Sequence, residues 1–127
     1  MSMKLVKKDI NYGLIDKECI GLCDVLNSLL YCETFESCCG HGKYTYKIWF
    51  KCLDLTVLGR LSRAVDVNYS DGQWEIVSIS TDTTPVGIFE LRTKKILNAD
   101  ELDKSINGLI DNILYWTKDE FDDYFKI

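Results

Sequence analysis

The only histidine of the chain stands between two glycines, Gly40-His41-Gly42, and a β-prone run approaches this triplet from either side. Tyr31 to Ser37, Tyr-Cys-Glu-Thr-Phe-Glu-Ser, precedes it, and Tyr44 to Leu53, Tyr-Thr-Tyr-Lys-Ile-Trp-Phe-Lys-Cys-Leu, follows it. Aromatic and β-branched residues favour extended backbone, whereas glycine reaches the conformations a tight reversal needs. Two strands are therefore expected to flank a Cys-Cys-Gly-His-Gly turn, and every other element has to be compatible with that unit.

Asp16 to Leu30 carries apolar residues at Cys19, Ile20, Leu22, Cys23, Leu26, Leu29 and Leu30, the recurrence of one helical face. Asp16 is placed to accept the free amide protons at the start of that helix. A second helix is expected from a cap at Asp54, with apolar positions Leu55, Leu58, Leu61 and Val65, and it ends before the turn signal Ser70-Asp71-Gly72. Trp74 to Thr81 and Val86 to Thr93 read as strands, joined by a connector, Thr81-Asp-Thr-Thr-Pro85, short enough for a hairpin. Asn98, with Glu101 three places on, matches a capping box opening a last helix. Its apolar face runs through Leu102, Ile106, Leu109, Ile110, Ile113, Leu114 and Phe121. Met3 to Leu14 alternates weakly and reads as a short edge strand or an arm. The order α-β-β-α-β-β-α lacks the strand-helix-strand alternation that builds a parallel doubly wound sheet. The expected fold class is α+β, with about four mostly antiparallel strands and helices on one face.

A chain of 127 residues with 46% hydrophobic and 28% charged residues suits one domain spanning 1–127 with a single core. Its formal net charge of −5 argues against a nonspecific binder of nucleic-acid backbone, which needs clustered cations, but leaves room for a specific nucleotide site with a local positive pocket. No apolar run approaches membrane-spanning length, and Met1 to Lys8 lacks the apolar centre of a signal peptide, so no membrane partner and a cytoplasmic location are expected. In that reducing compartment the six cysteines should be free thiols, with Cys19 and Cys23 packed as small apolar residues of the first helix.

The candidate chemistry lies in Ser37, Cys38, Cys39, Gly40, His41, Gly42 and Lys43. Gly40 and Gly42 relax the backbone around His41 so that amides can turn inward onto an anion, with Lys43 as a neutralising charge. The spacing matches neither the phosphate-binding loop nor the dinucleotide fingerprint, so no cofactor is expected, and a hairpin turn that simply needs glycine is the competing reading. Arg60 and Arg63 on the second helix, and Arg92 with Lys94 and Lys95 at the end of the fourth strand, are candidate cations for a ligand held by the loop. Tyr44, Tyr46 and Phe50 share one side of the second strand, as a stacking surface, a core stripe or a dimer face. A thiol with His41 can make a nucleophile and base, although the sequence offers no obvious carboxylate partner to complete it. Cys32, Cys38, Cys39 and His41 are zinc-type ligands, but adjacent cysteines rarely both reach one tetrahedral ion, so no metal is expected.

Ser37-Cys38-Cys39-Gly40-His41-Gly42-Lys43 followed by a β-prone segment resembles a loop of small, functionally uncharacterised proteins from phages and their bacterial hosts. More distantly, Ser37-Cys38-Cys39-Gly40-His41 is similar to the Ser-Cys-Ser-Gly-Arg loop of the wybutosine-synthesising tRNA methyltransferase family, with Cys39 in place of its Ser and His41 in place of its Arg. The resemblance implies contact with a nucleotide-like or adenosyl ligand. The expected function is a small binding module, a phage counter-defence protein in the setting the resemblance suggests, that holds a nucleotide-like or other small anionic ligand. The alternatives are an enzyme on a nucleotide or RNA substrate with His41 as acid/base, and an acidic protein inhibitor. The ending Trp116 to Ile127 mixes aromatics with acids, which suggests a fraying end or a docking segment, and a homodimer is the default assembly.

Overall fold

The computed structural model describes residues 16–83 and 86–126, with side chains through 118. The elements are α1 (Lys17–Ser28), β1 (Cys32–Cys38), a 3₁₀ turn (Gly40–Gly42), β2 (Lys47–Cys52), α2 (Leu55–Val65), β3 (Trp74–Ser78), β4 (Ile88–Thr93) and α3 (Ala99–Lys126). This is the expected α+β order. The four strands form one antiparallel sheet in the order β1-β2-β4-β3, so that β2 and β4 are central and β1 and β3 are edges. The segment Met3 to Leu14 and the connector residues Thr84 and Pro85 lie outside the described residues. Among the described residues no helix is long and apolar enough to cross a membrane.

Alternation sorts the strands into two faces. Ile48 and Phe50 of β2, Leu91 of β4 and Trp74 of β3 point inward and share one core with Leu22 and Leu26 of α1, Leu61 of α2 and Leu109 and Ile113 of α3. The ring of Tyr46, just before β2, meets Trp74 edge-on at 5.3 Å between centroids. On the outer face, Trp49 Nε1 donates to Glu90 Oε1 at 2.6 Å, and Arg92 bridges Glu75 at 2.8 Å and Glu90 at 3.0 Å. These bonds explain how Glu90 is buried on a face that carries no helix among the described residues.

Two helix starts follow their signals closely. Asn98 and Glu101 make the reciprocal pair of a capping box, Glu101 N donating to Asn98 Oδ1 at 2.8 Å and Asn98 N to Glu101 Oε1 at 3.1 Å. Asp54 Oδ1 accepts from Thr56 N and Val57 N at 2.8 and 3.0 Å. That cap leaves Leu55 in the exposed first position, 84% accessible; Leu61 and Val65 are buried as expected, and Val57 and Ala64 complete the buried face of α2. Ile20 and Leu114, expected on buried faces, are also largely exposed. Of the expected aromatic stripe, Tyr46 and Phe50 are core residues, whereas Tyr44 is drawn into the turn by its N–H bond to Gly40 O at 3.0 Å and stands in solvent.

Four polar contacts, three of them buried, fix α1 against the strands that lead to the turn. Asn27 Nδ2 donates to Cys23 O at 2.8 Å and to Thr34 Oγ1 at 2.6 Å, and its Oδ1 accepts from Thr34 N at 3.1 Å, so the helix is tied to its neighbouring edge strand. Tyr46 Oη donates to Glu18 O at 3.0 Å, tying the first turn of α1 to the start of β2. The pairing register shifts between Thr34 and Glu36, which turns Ser37 to the inner face and Cys38 to the outer face at the end of β1.

Candidate functional site

Three consecutive residues adopt left-handed backbone: Gly40 at φ +85°, His41 at φ +51° and Gly42 at φ +77°. Lys43 N and Tyr44 N close the turn by donating to Gly40 O at 2.8 and 3.0 Å. Gly40 is required sterically as well, since a Cβ there would lie 3.1 Å from both C and O of Thr45. His41 is a non-glycine residue in this region. The turn brings its imidazole back toward α1: Nε2 lies 3.6 Å from Asp16 Oδ2, and Nδ1 lies 3.6 Å from Cys39 Sγ.

Asp16 occupies the N-cap position of α1, but its side chain makes no capping bond. Its Oδ2 accepts from Cys39 N at 2.8 Å, which corrects the expected role. A carboxylate is thus held by the turn's own amide, and Gly40 N donates to Cys38 Sγ at 3.4 Å. Two of the turn's amides, those of Cys39 and Gly40, are therefore engaged inside the protein and not free for a small anion.

Of the expected site residues, the structure brings together Cys38, Cys39, Gly40, His41 and Gly42, and it adds Asp16. Ser37 is half-buried beside the Cys19 thiol, and Lys43 is exposed at the end of the turn. The three arginines are elsewhere. Arg60 Nη1 donates to Trp116 O at 3.3 Å, and Arg63 lies over the rings of Trp116 and Tyr69 at 5.1 and 5.7 Å, both in the α2–α3 contact. Arg92 is consumed by Glu75 and Glu90 on the outer sheet face, which holds its guanidinium above the ordinary value. None of the three lines the cleft beside the turn.

That cleft, about 590 Å³, opens between the turn, α1 and α3. Cys39, His41 and Gly42 form its turn side, Leu97, Leu102, Ile106 and Ile110 an apolar wall, and Lys17, Asp103 and Asn107 part of its rim. Leu102, Ile106 and Ile110 were legible only as the apolar face of the last helix.

No protein-family model, curated protein or solved structure matches this chain. What the site can do is therefore read from its geometry. A thiol, an imidazole and a carboxylate in a row can move a proton or hold a cation. Partial burial pushes the Cys39 thiol above its usual range; a hydrogen bond from the His41 backbone opposes it, and the neighbouring Asp16 carboxylate adds a further upward push, so Cys39 is not primed as a nucleophile. The Cys19 thiol, pushed up to about 12 chiefly by burial, is inert.

All six cysteines are free, with Cys19, Cys23, Cys32 and Cys52 buried and Cys38 and Cys39 partly exposed. Brief iodoacetamide treatment of the native protein should therefore label Cys38 and Cys39 alone, and treatment in denaturant should label six. Intact mass and peptide mapping read both results; rapid native labelling of Cys32 or Cys52 would contradict the packing of β1 on β2.

Proposed function

We propose that the chain is a small binding protein that holds a nucleotide-like ligand in the cleft beside the Gly40–Gly42 turn. The observation that carries this reading is the cleft itself, whose volume of about 590 Å³ falls in the range of small-molecule sites. Its apolar wall on α3 suits the faces of a base, Asn107 offers an amide for the base edge, and Lys17 supplies a cation among the carboxylates of Glu18 and Asp103, acceptors for the hydroxyls of a ribose. The likeness of the turn to a loop of the wybutosine-synthesising family points to the same ligand class. The setting that goes with this reading is a counter-defence protein that sequesters its ligand in the cytoplasm of a bacterial or phage-infected cell, as a homo-oligomer.

Gly21 provides the test. It lies in α1 against the cleft, where an added Cβ would meet Ile110 Cδ1 at an ordinary 3.5 Å. Gly21→Leu should leave the free protein as stable as the wild type or more so, because leucine replaces a mid-helix glycine, while its side chain fills the cleft. Thermal unfolding with millimolar AMP, GMP, CMP or UMP should raise the wild-type Tm for at least one of them. A ligand at about 100 times its Kd adds about 2.7 kcal/mol, and the shift should vanish in Gly21→Leu. If no nucleotide shifts the wild type, or if the shift survives in Gly21→Leu, the reading fails.

A further inference from the structure

We propose that Asp16, Cys38 and His41 form a binding site for one divalent transition-metal ion of the zinc class. The proposal is independent of what occupies the cleft. One ligand atom from each residue, a carboxylate oxygen, a thiol sulfur and a ring nitrogen, lies within 4.8 Å of the other two. The Asp16 and His41 atoms are already 3.6 Å apart. Metal–ligand bonds of about 2.0–2.3 Å in a tetrahedron put ligand atoms roughly 3.3–3.8 Å from one another. Rotation of the exposed His41 and the partly exposed Cys38 can supply the remaining closure.

The donor set selects the ion. Oxygen-seeking Mg²⁺ and Ca²⁺ gain little from a thiolate and an imidazole, whereas zinc and cobalt accept sulfur, nitrogen and carboxylate oxygen together. One carboxylate and one thiolate neutralise a divalent charge, the Cys38 proton passing to solvent as the ion binds. Three protein ligands leave a fourth position for water or a bound molecule.

The surrounding contacts are those of an outer shell that orients ligands. Cys39 N holds Asp16 Oδ2 at 2.8 Å, and Gly40 N holds Cys38 Sγ at 3.4 Å. With Nε2 turned toward Asp16, a proton on Nδ1 points at Cys39 Sγ, 3.6 Å away, which leaves the Nε2 lone pair for the ion. Adjacent cysteines thus have different roles: Cys38 is a ligand and Cys39 supports the histidine. The objection that both cannot reach one tetrahedral ion does not apply, because Asp16 arrives from α1.

Metal-free, reduced, full-length protein titrated with Co²⁺ tests the site. Expected are one Co²⁺ per chain, a thiolate-to-cobalt charge-transfer band and loss of that band on adding Zn²⁺. Cys38→Ser should abolish the band, whereas Cys39→Ser should keep it with affinity lowered by about tenfold. Asp16→Asn preserves an acceptor for Cys39 N and should still weaken binding by more than about tenfold, since it removes a ligand and not merely an outer-shell partner. Circular dichroism checks each variant, and if Cys38→Ser does not fold, His41→Gln on the exposed turn decides the matter by an equal loss of affinity. Absence of the band in the wild type, full-affinity binding by His41→Gln, or a band lost in Cys39→Ser but kept in Cys38→Ser overturns the proposal. Gly21→Leu should bind Co²⁺ like the wild type, which separates this result from the nucleotide test.

Discussion

Trp74→Ala should lower the stability of the protein by about 3–5 kcal/mol, the usual cost of emptying a core site of an aromatic side chain. For a chain of this size that corresponds to a fall in Tm of roughly 10–20 °C. Trp74 is 1% exposed and is the largest fully buried side chain among the described residues. It meets Tyr46 edge-on, and its Nε1 donates to Ser105 Oγ at 2.8 Å, which in turn donates to Asp71 Oδ2 at 2.6 Å. The ring therefore joins β3, the start of β2, α3 and the turn before β3. Trp74→Phe keeps most of the apolar area and loses the hydrogen bond, so it should cost less than half as much. Guanidinium denaturation followed by far-ultraviolet circular dichroism measures both. A loss below about 1.5 kcal/mol in Trp74→Ala would mean that the site collapses around the missing ring and that the four elements are held together elsewhere.

The order of elements was legible because each segment has its own period and its own punctuation. The capping box at Asn98 and the cap at Asp54 are local chemistry, complete within four residues, and both appear in the structure as bonds. The orientation of a helical face was less legible. In α2 the leucines at 55, 58, 61 and the valine at 65 satisfy a helical period, and Leu61 and Val65 are buried, yet the face is rotated so that Val57 and Ala64 join them and Leu55 is left in solvent. Several apolar residues on one helix admit more than one face, and the neighbouring layer selects between them. Tyr44 shows the same limit in a strand, because hydrogen bonds inside the turn, not alternation, decide where β2 begins.

At the site, the turn was legible from Gly40, His41 and Gly42, since their backbone requirements are local. Asp16 was not, for it acts 23 positions away from Cys39. An aspartate before a helix serves equally well as a cap, and no spacing rule connects it to a histidine in a distant turn. The arginines failed for the complementary reason. A sequence displays a cation but not its neighbour, and Arg92 meets Glu75 only because β3 pairs with β4. The cleft wall was hidden inside a correct reading, because a helical face that packs on a core and one that lines a cleft have the same periodicity.

Gly40→Val should destabilise the protein by about 3 kcal/mol or more, and Gly42→Ala by only about 1 kcal/mol, although both glycines have positive φ. The difference lies in what surrounds each residue. At Gly42 an added Cβ meets nothing within 4 Å, so the cost is that of the left-handed backbone alone. At Gly40 the same backbone cost is increased by a β-branched side chain and by contacts of 3.1 Å with the Thr45 carbonyl, which is main chain leading into β2 and cannot rotate away. Tyr46 follows directly, with its N bonded to Thr93 Oγ1 at 3.1 Å and its O accepting from Thr93 N at 3.0 Å, so a shift of Thr45 pulls on the centre of the sheet. Gly40→Val should also scatter Asp16, Cys38 and His41, because Gly40 N holds Cys38 Sγ and its carbonyl closes the turn. Exposed His41→Ala, by contrast, should change Tm little. Thermal unfolding of the three variants measures the ranking, Gly40→Val far below Gly42→Ala and Gly42→Ala below His41→Ala; equal losses at the two glycines would mean that backbone conformation alone, and not the approach of Thr45, sets the requirement for glycine at position 40.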